Sequence, residues 1–430
     1  MQKKLISMVT ASLVVSSAIA GDRGVDIVTT GQAVLYYNTM ATNATGTASQ
    51  NLFGTAMNSD NTARDNTKAN AGVQLNLDAN LRNDFTFGST INYLGTLGLE
   101  KNLVNGAMQN TNAGISENNI ADDIYLSQLF IAKKIDNTTL KLGRQELPLS
   151  LSPFAFSENW NVFKNTFDTA LIINSDIEDT TLVGAYVAQT NGNGFGHDMS
   201  SFNDLSVNNN PITGSDGIAI NGPTYMVTVQ NRSLPLTSMT LSYYDVAQVQ
   251  TATNAGASII WGDVMVANKS LPMGLRIGIQ GGSIMPEASA LKDTNAFGIK
   301  VGTSPIENIT LCVAYTTVND GSVQIRNTGG VKTPLYTQLV MNQNAITLNN
   351  DTYLLKAAYN TGDFGTAIAQ VSISTDNSVA KRDFTDMEFV YKIELGGVDL
   401  LAAYMHQTWS KTVATVDAQD IARVVARYNF

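Results

Sequence analysis

The chain has 430 residues, a formal net charge of −10, only 14% charged residues and a single cysteine, Cys312. An acidic chain of this composition does not point to nucleic acid, and one cysteine excludes an intramolecular disulfide. The two histidines, His197 and His406, are far apart and have no cysteine partners at zinc-site spacing.

Residues 1–20 read as a secretory leader. Lys3 and Lys4 form a basic start, an apolar and small-residue run follows, and Ala18-Ile19-Ala20 is an A-x-A cleavage signal. The apolar run is shorter than the roughly 20 residues a spanning helix needs. The mature chain is expected over 21–430. Losing Lys3 and Lys4 takes the charge from −10 to −12, a field expected to attract cations.

From there the hydrophobic period is two. In 72–82, Val73, Leu75, Leu77, Ala79 and Leu81 alternate with Gln74, Asn76, Asp78, Asn80 and Arg82. In 273–280, Met273, Leu275, Ile277 and Ile279 alternate with Gly274, Arg276, Gly278 and Gln280. In 384–395, Met387, Phe389 and Tyr391 alternate with Glu388, Val390 and Lys392. Strands are predicted at about 25–37, 71–82, 85–97, 122–135, 138–145, 167–174, 180–189, 223–231 and 237–248. Nine more follow at about 256–268, 272–285, 292–303, 308–319, 351–361, 363–375, 384–395, 398–410 and 420–430. That makes eighteen, or sixteen if the weak segments 167–174 and 256–268 are not strands.

The connections decide the fold class. Short ones such as Asn83-Asp84, Asp136-Asn137 and Gly396-Gly397 alternate with long ones at 38–70, 98–121, 146–166, 190–222 and 320–350. Short turns on one side and long loops on the other, with an even strand number, describe an all-β transmembrane antiparallel barrel of the bacterial outer membrane. Near-zero mean hydropathy suits such a wall, because its lipid and water faces cancel in any window. The final segment places Ala422, Val424, Ala426, Tyr428 and Phe430 on one face. Tyr428 and Phe430 are expected to form the aromatic signal offered to the barrel-assembly machinery.

The stretch Leu142-Gly143-Arg144-Gln145-Glu146-Leu147-Pro148, continuing through Ser152-Pro153-Phe154-Ala155-Phe156-Ser157-Glu158-Asn159-Trp160 to Asp168, resembles the OprD-like porins and related major outer membrane proteins. The specific likeness covers about a tenth of the chain. The resemblance implies an eighteen-stranded barrel, often trimeric, whose third outer loop folds into the lumen. Here that loop is about 146–166. The family's continuous ladder of inward arginines is only partly matched, so its preference for basic amino acids is not carried over.

The expected function is a porin for passive diffusion of ions and small hydrophilic solutes, with no catalysis. By parity, Arg276, Lys356, Asp386, Glu388, Lys392, Arg423 and Arg427 face the lumen. Glu146, Glu158 and Asp168 are expected to form an acidic side of the constriction, opposite the arginines. The expected partners are outer-membrane lipid and lipopolysaccharide. No cofactor is expected. Structural Ca²⁺ at Glu117, Asp122 and Asp123, or at Asp198, Asp204 and Asp216, is weaker, since neither set has EF-hand spacing. Gly192-Asn193-Gly194-Phe195-Gly196-His197 reads as a flexible outer-loop segment, not a dinucleotide loop. Neither histidine has the context of a catalytic base. A second function class is an adhesin or receptor, for which 38–70 and 320–350 would supply exposed loops.

Overall fold

Along 350–360, Leu354 is 7% exposed and its neighbour Leu355 is 54% exposed. That alternation repeats around a closed sheet in the computed structural model, which describes residues 25–44, 52, 67–97, 104, 106–110, 123–205, 220–249, 255–379, 382–413 and 416–430. The leader, Glu117, Asp122 and Asp216 lie outside the described residues, and the Asp123 side chain is not described.

Eighteen long strands are present among the described residues. They are β1 (Asp26–Ala44), β2 (Lys68–Asn80), β3 (Phe85–Gly95), β4 (Asp123–Ile135), β5 (Thr138–Gln145) and β6 (Phe167–Asn174). Next come β7 (Thr180–Thr190), β8 (Ile220–Asn231), β9 (Thr237–Val249), β10 (Ala257–Ala267), β11 (Arg276–Pro286) and β12 (Thr294–Ile306). The last six are β13 (Ile309–Val318), β14 (Asn350–Asn360), β15 (Thr366–Asp376), β16 (Phe384–Leu395), β17 (Val398–Val413) and β18 (Val416–Asn429). Both of the weakly patterned segments, β6 and β10, are strands. The strand starting at 272 begins instead at Arg276, because Met273 (φ 54°) and Gly274 (φ 59°) form a turn.

Each strand pairs antiparallel with the next, and β18 returns to β1 in register from Gln32 opposite Asn429. Closure leaves the wall no long free edge and satisfies its backbone within the sheet, which a hydrocarbon environment requires. The seam is reinforced where Phe430 N–H donates to Gly31 O at 2.9 Å and Gly31 N–H donates to Phe430 O at 2.7 Å. Tyr428 and Phe430 stack at 6.1 Å beside it. Short hairpins lie on one side of the barrel. Asn83 (φ 57°) and Asp84 (φ 59°) adopt the left-handed backbone that a two-residue hairpin needs, as do Gly396 and Gly397. The long connections lie on the other side.

Two loops do not stay outside. The segment 146–166 enters the barrel from β5 and crosses it. Phe154 packs edge-on against Tyr244 of β9 (5.7 Å) and Trp261 of β10 (5.4 Å), contacts worth roughly 0.5–1.5 kcal/mol each beyond their burial. Phe163 lies over Gly72 of β2, at a spot where any larger residue would collide with its ring. The segment 319–349 also lies inside. Val323, Ile325, Val331, Leu335 and Ile346 are all buried. The 320–350 connection is therefore not the exposed loop that a surface receptor would use. The 38–70 connection begins and ends within β1 and β2, and most of its middle lies outside the described residues.

The glycine-rich 192–197 segment likewise differs from the flexible outer segment expected of it. Asn191 and Asn193 are fully buried, Asn161 Nδ2 donates to Gly194 O at 2.8 Å, and Gln109 pairs with His197. Its glycines supply the positive φ of the segment, at Gly192 (63°), Gly194 (155°) and Gly196 (63°).

Candidate functional site

The in-folded loops are fastened to each other by Glu158. Its side chain is 3% exposed. Oε1 accepts from Val331 N–H at 2.7 Å, and Oε2 accepts from Lys332 N–H at 3.0 Å and Asn327 Nδ2 at 3.1 Å. Burial pushes its carboxyl above the ordinary value, against the downward pull of those donors and the Lys332 charge. Asn327 adds a second tie by accepting from Phe156 N–H at 2.9 Å and donating to Phe156 O at 2.8 Å. Trp160 Nε1 donates to Val340 O at 2.7 Å.

The wall holds both loops. Arg423 donates through Nε to Asn38 Oδ1 at 3.1 Å and reaches Trp160 O at 3.4 Å, with its guanidinium 5.1 Å from the Trp160 ring. Arg427 donates to Val162 O at 3.1 Å. On β16, Glu388 accepts from Val340 N–H at 2.9 Å and from Gln370, while Asp386 accepts from Gln407 Nε2 at 3.3 Å. A two-residue spacing on one strand thus places both carboxylates inward, as parity predicts. Both are buried beneath the 319–349 loop instead of facing open water.

Beneath the loops, toward the hairpin side, is a lumen cavity of about 730 Å³. Lys332, Lys356, Lys392, Arg423 and Arg427 line it, with Glu394 and Asp399 near the turn that joins β16 and β17. Four of these cations belong to the expected lumen set. Lys332 was missed because its connection was read as an outer loop. Burial holds the Lys332 amine below its ordinary value. Arg276 stands at the hairpin end of β11, on the face of Gly278 and Gln280, with its guanidinium over Gly302.

The acidic side expected of the constriction is not assembled. Glu158 is enclosed between loops. Glu146 pairs with Lys164 of its own loop at 2.6 Å, both partly exposed. Asp168 shares the face of Ala170 and Ile172, which points outward, and pairs there with Arg144 at 3.1 Å. A register irregularity between Asp168 and Thr169 lies at this end of β6. Asp198 is held by Ser200 and Ser201 of its own turn, and Asp204 lies in a short pairing with β7. His406 also lies on the outer face, where Nδ1 is 2.7 Å from Asp420 and the Tyr404 hydroxyl donates to the same carboxylate.

Cys312 sits between outward Leu311 and Val313, directly opposite Lys356 of β14, so its thiol faces the lumen. A charged, membrane-impermeant methanethiosulfonate is expected to modify it in the folded barrel. Whole-protein mass and single-channel conductance check this, with Cys312→Ser as the control. Labelling only after denaturation would remove the thiol from the water path.

No family model and no curated protein sequence matches the chain. Solved structures do. Pseudomonas aeruginosa OccK8 (OprE) superposes with a TM-score of 0.71 at 12% identity, over 94% of this chain and 98% of that one. Pseudomonas aeruginosa OccK9 (OpdG) gives 0.71 at 15% identity, over 95% and 98%. Acinetobacter baumannii OccAB3 gives 0.70 at 13%, over 94% and 99%. The fold is the closed eighteen-strand antiparallel barrel of the OprD and Occ outer-membrane channels.

Proposed function

We propose that this chain is an outer-membrane channel for passive diffusion of ions and small hydrophilic solutes, that it performs no catalytic step, and that its lumen favours anions. The observation that carries the reading is the convergence of Lys332, Lys356, Lys392, Arg423 and Arg427 on one lumen cavity, against two carboxylates. Five cations in a confined aqueous space raise the local concentration of anions. The negative charge of the chain as a whole pointed toward cations, but selectivity follows the groups nearest the path. Charges beyond about 10 Å are screened at ordinary salt. The outward apolar face, with Leu142, Leu241, Leu355 and Met387 among its exposed residues, supports lipid as the surrounding partner.

Planar bilayers under a salt gradient test this. Discrete current steps are expected, with a reversal potential of the sign for anion preference. No current from folded protein would overturn the channel. A cation-selective potential would overturn the anion preference. Swelling of liposomes in small sugars separates a channel from a barrel that acts only as a surface receptor.

A further inference from the structure

The 319–349 loop carries a buried cation that the two-loop junction does not account for. Arg326 is 2% exposed, yet no acid lies within ion-pair distance of it among the described ion pairs. Its Nη2 donates to Asn344 Oδ1. Its Nε–H meets no acceptor of the protein. The same is true of Asn344 Nδ2 and of both polar atoms of Gln343, a side chain with no exposed surface.

These groups are brought together by the loop's own fold. Ile325 N–H donates to Thr347 O at 3.3 Å, which sets the arm carrying Arg326 against the arm that returns to β14. The 3₁₀ turn Gln343–Ala345 sets Asn344 against the guanidinium and encloses Gln343 one residue before it in the same turn. The Asn344 oxygen is fixed on Arg326, so its amino group is the free end. Three unpaired donor nitrogens therefore stand against one unpaired acceptor, Gln343 Oε1. Buried polar groups are nearly always partnered, and an isolated buried charge is costly until it is compensated. Glu158 is the acid whose charge acts on Arg326, but it already serves three N–H donors and also acts on Lys332.

We propose that Arg326, Gln343 and Asn344 form an internal site for a small monovalent anion of the halide class, which braces the in-folded loop. A halide accepts from several N–H groups and balances the guanidinium. Water would match the lone acceptor but leave the charge uncompensated. The site is separate from the lumen cations, because Arg326 does not line the cavity that Lys332 and Arg423 share. Burial pushes the Arg326 guanidinium down only to about 10, so it stays charged at neutral pH.

Two measurements on the folded, full barrel decide the matter. Crystals grown with sodium bromide are expected to show an anomalous peak within hydrogen-bond distance of Arg326 Nε. Thermal unfolding is expected to shift upward by a few degrees in sodium chloride relative to sodium gluconate at equal ionic strength. The shift should vanish in Arg326→Gln and shrink in Gln343→Leu. Both wild-type measurements stand if either variant fails to fold. An ordered water in place of bromide, or equal melting in the two salts, would overturn the site. Neither result bears on anion preference in the open channel, which is read by reversal potential.

Discussion

Glu158→Ala is expected to release the two in-folded loops from each other while leaving the barrel wall intact. The substitution strips the acceptor from Val331 N–H, Lys332 N–H and Asn327 Nδ2 in a water-poor junction. Each stranded donor costs about 1–3 kcal/mol. Even the low end, roughly 3 kcal/mol in all, lowers the docked-to-undocked ratio on the order of 100-fold. The expected readouts are larger, noisier single-channel currents and protease cleavage near 329–332 that the wild type resists. Glu158→Gln retains one acceptor oxygen and should fall between the two. Wild-type conductance and an unchanged cleavage pattern in Glu158→Ala would show that the loops are held by packing alone.

The second large effect concerns selectivity. Lys356 and Lys392 line the cavity without the loop-anchoring bonds that Arg423 and Arg427 make. Neutralising them therefore reports on the field with little disturbance to the loops. A unit charge about 8 Å from a permeating ion contributes ~0.5 kcal/mol in water, close to a twofold change in local anion concentration. Each charge acts on cations in the opposite sense, so Lys356→Gln with Lys392→Gln should then lower the anion-to-cation permeability ratio roughly twentyfold at low salt, and less as salt rises. The measurement is the reversal potential across a tenfold salt gradient in planar bilayers. A ratio unchanged by the double substitution would place the selective section elsewhere in the lumen.

The wall was legible in the sequence because a pleated strand between lipid and water must alternate. The predicted segments at 138–145, 167–174 and 384–395 match strand boundaries to the residue. Parity also placed Lys356, Lys392, Arg423 and Arg427 on the inward face. Asp168 was assigned to the constriction as one of its acids and not by parity, and the unbroken alternation of β6 puts it outward with Ala170 and Ile172.

Loops were the harder part. Composition does not separate an exposed Asn- and Thr-rich loop from one buried in a polar lumen. A signal was nevertheless present in 323–346, where Val323, Ile325, Val331, Leu335, Leu339, Met341 and Ile346 are too many apolar side chains for a solvated loop. The burial of Glu158 could not be read this way. Two of its three partners are backbone N–H groups with no residue-type signature, and all three lie more than 160 positions away.

The joint between β1 and β18 has a consequence for biogenesis. Gln32 meets Asn429 only after the whole intervening chain has been made and threaded into place. Contacts of such long sequence separation form slowly. Until they form, β1 presents an unzipped backbone to any strand nearby. A ribosome-stalled or clipped product lacking its last hairpin would therefore be sticky rather than merely leaky. That edge is open only in the half-built interval and is gone once the ring is shut.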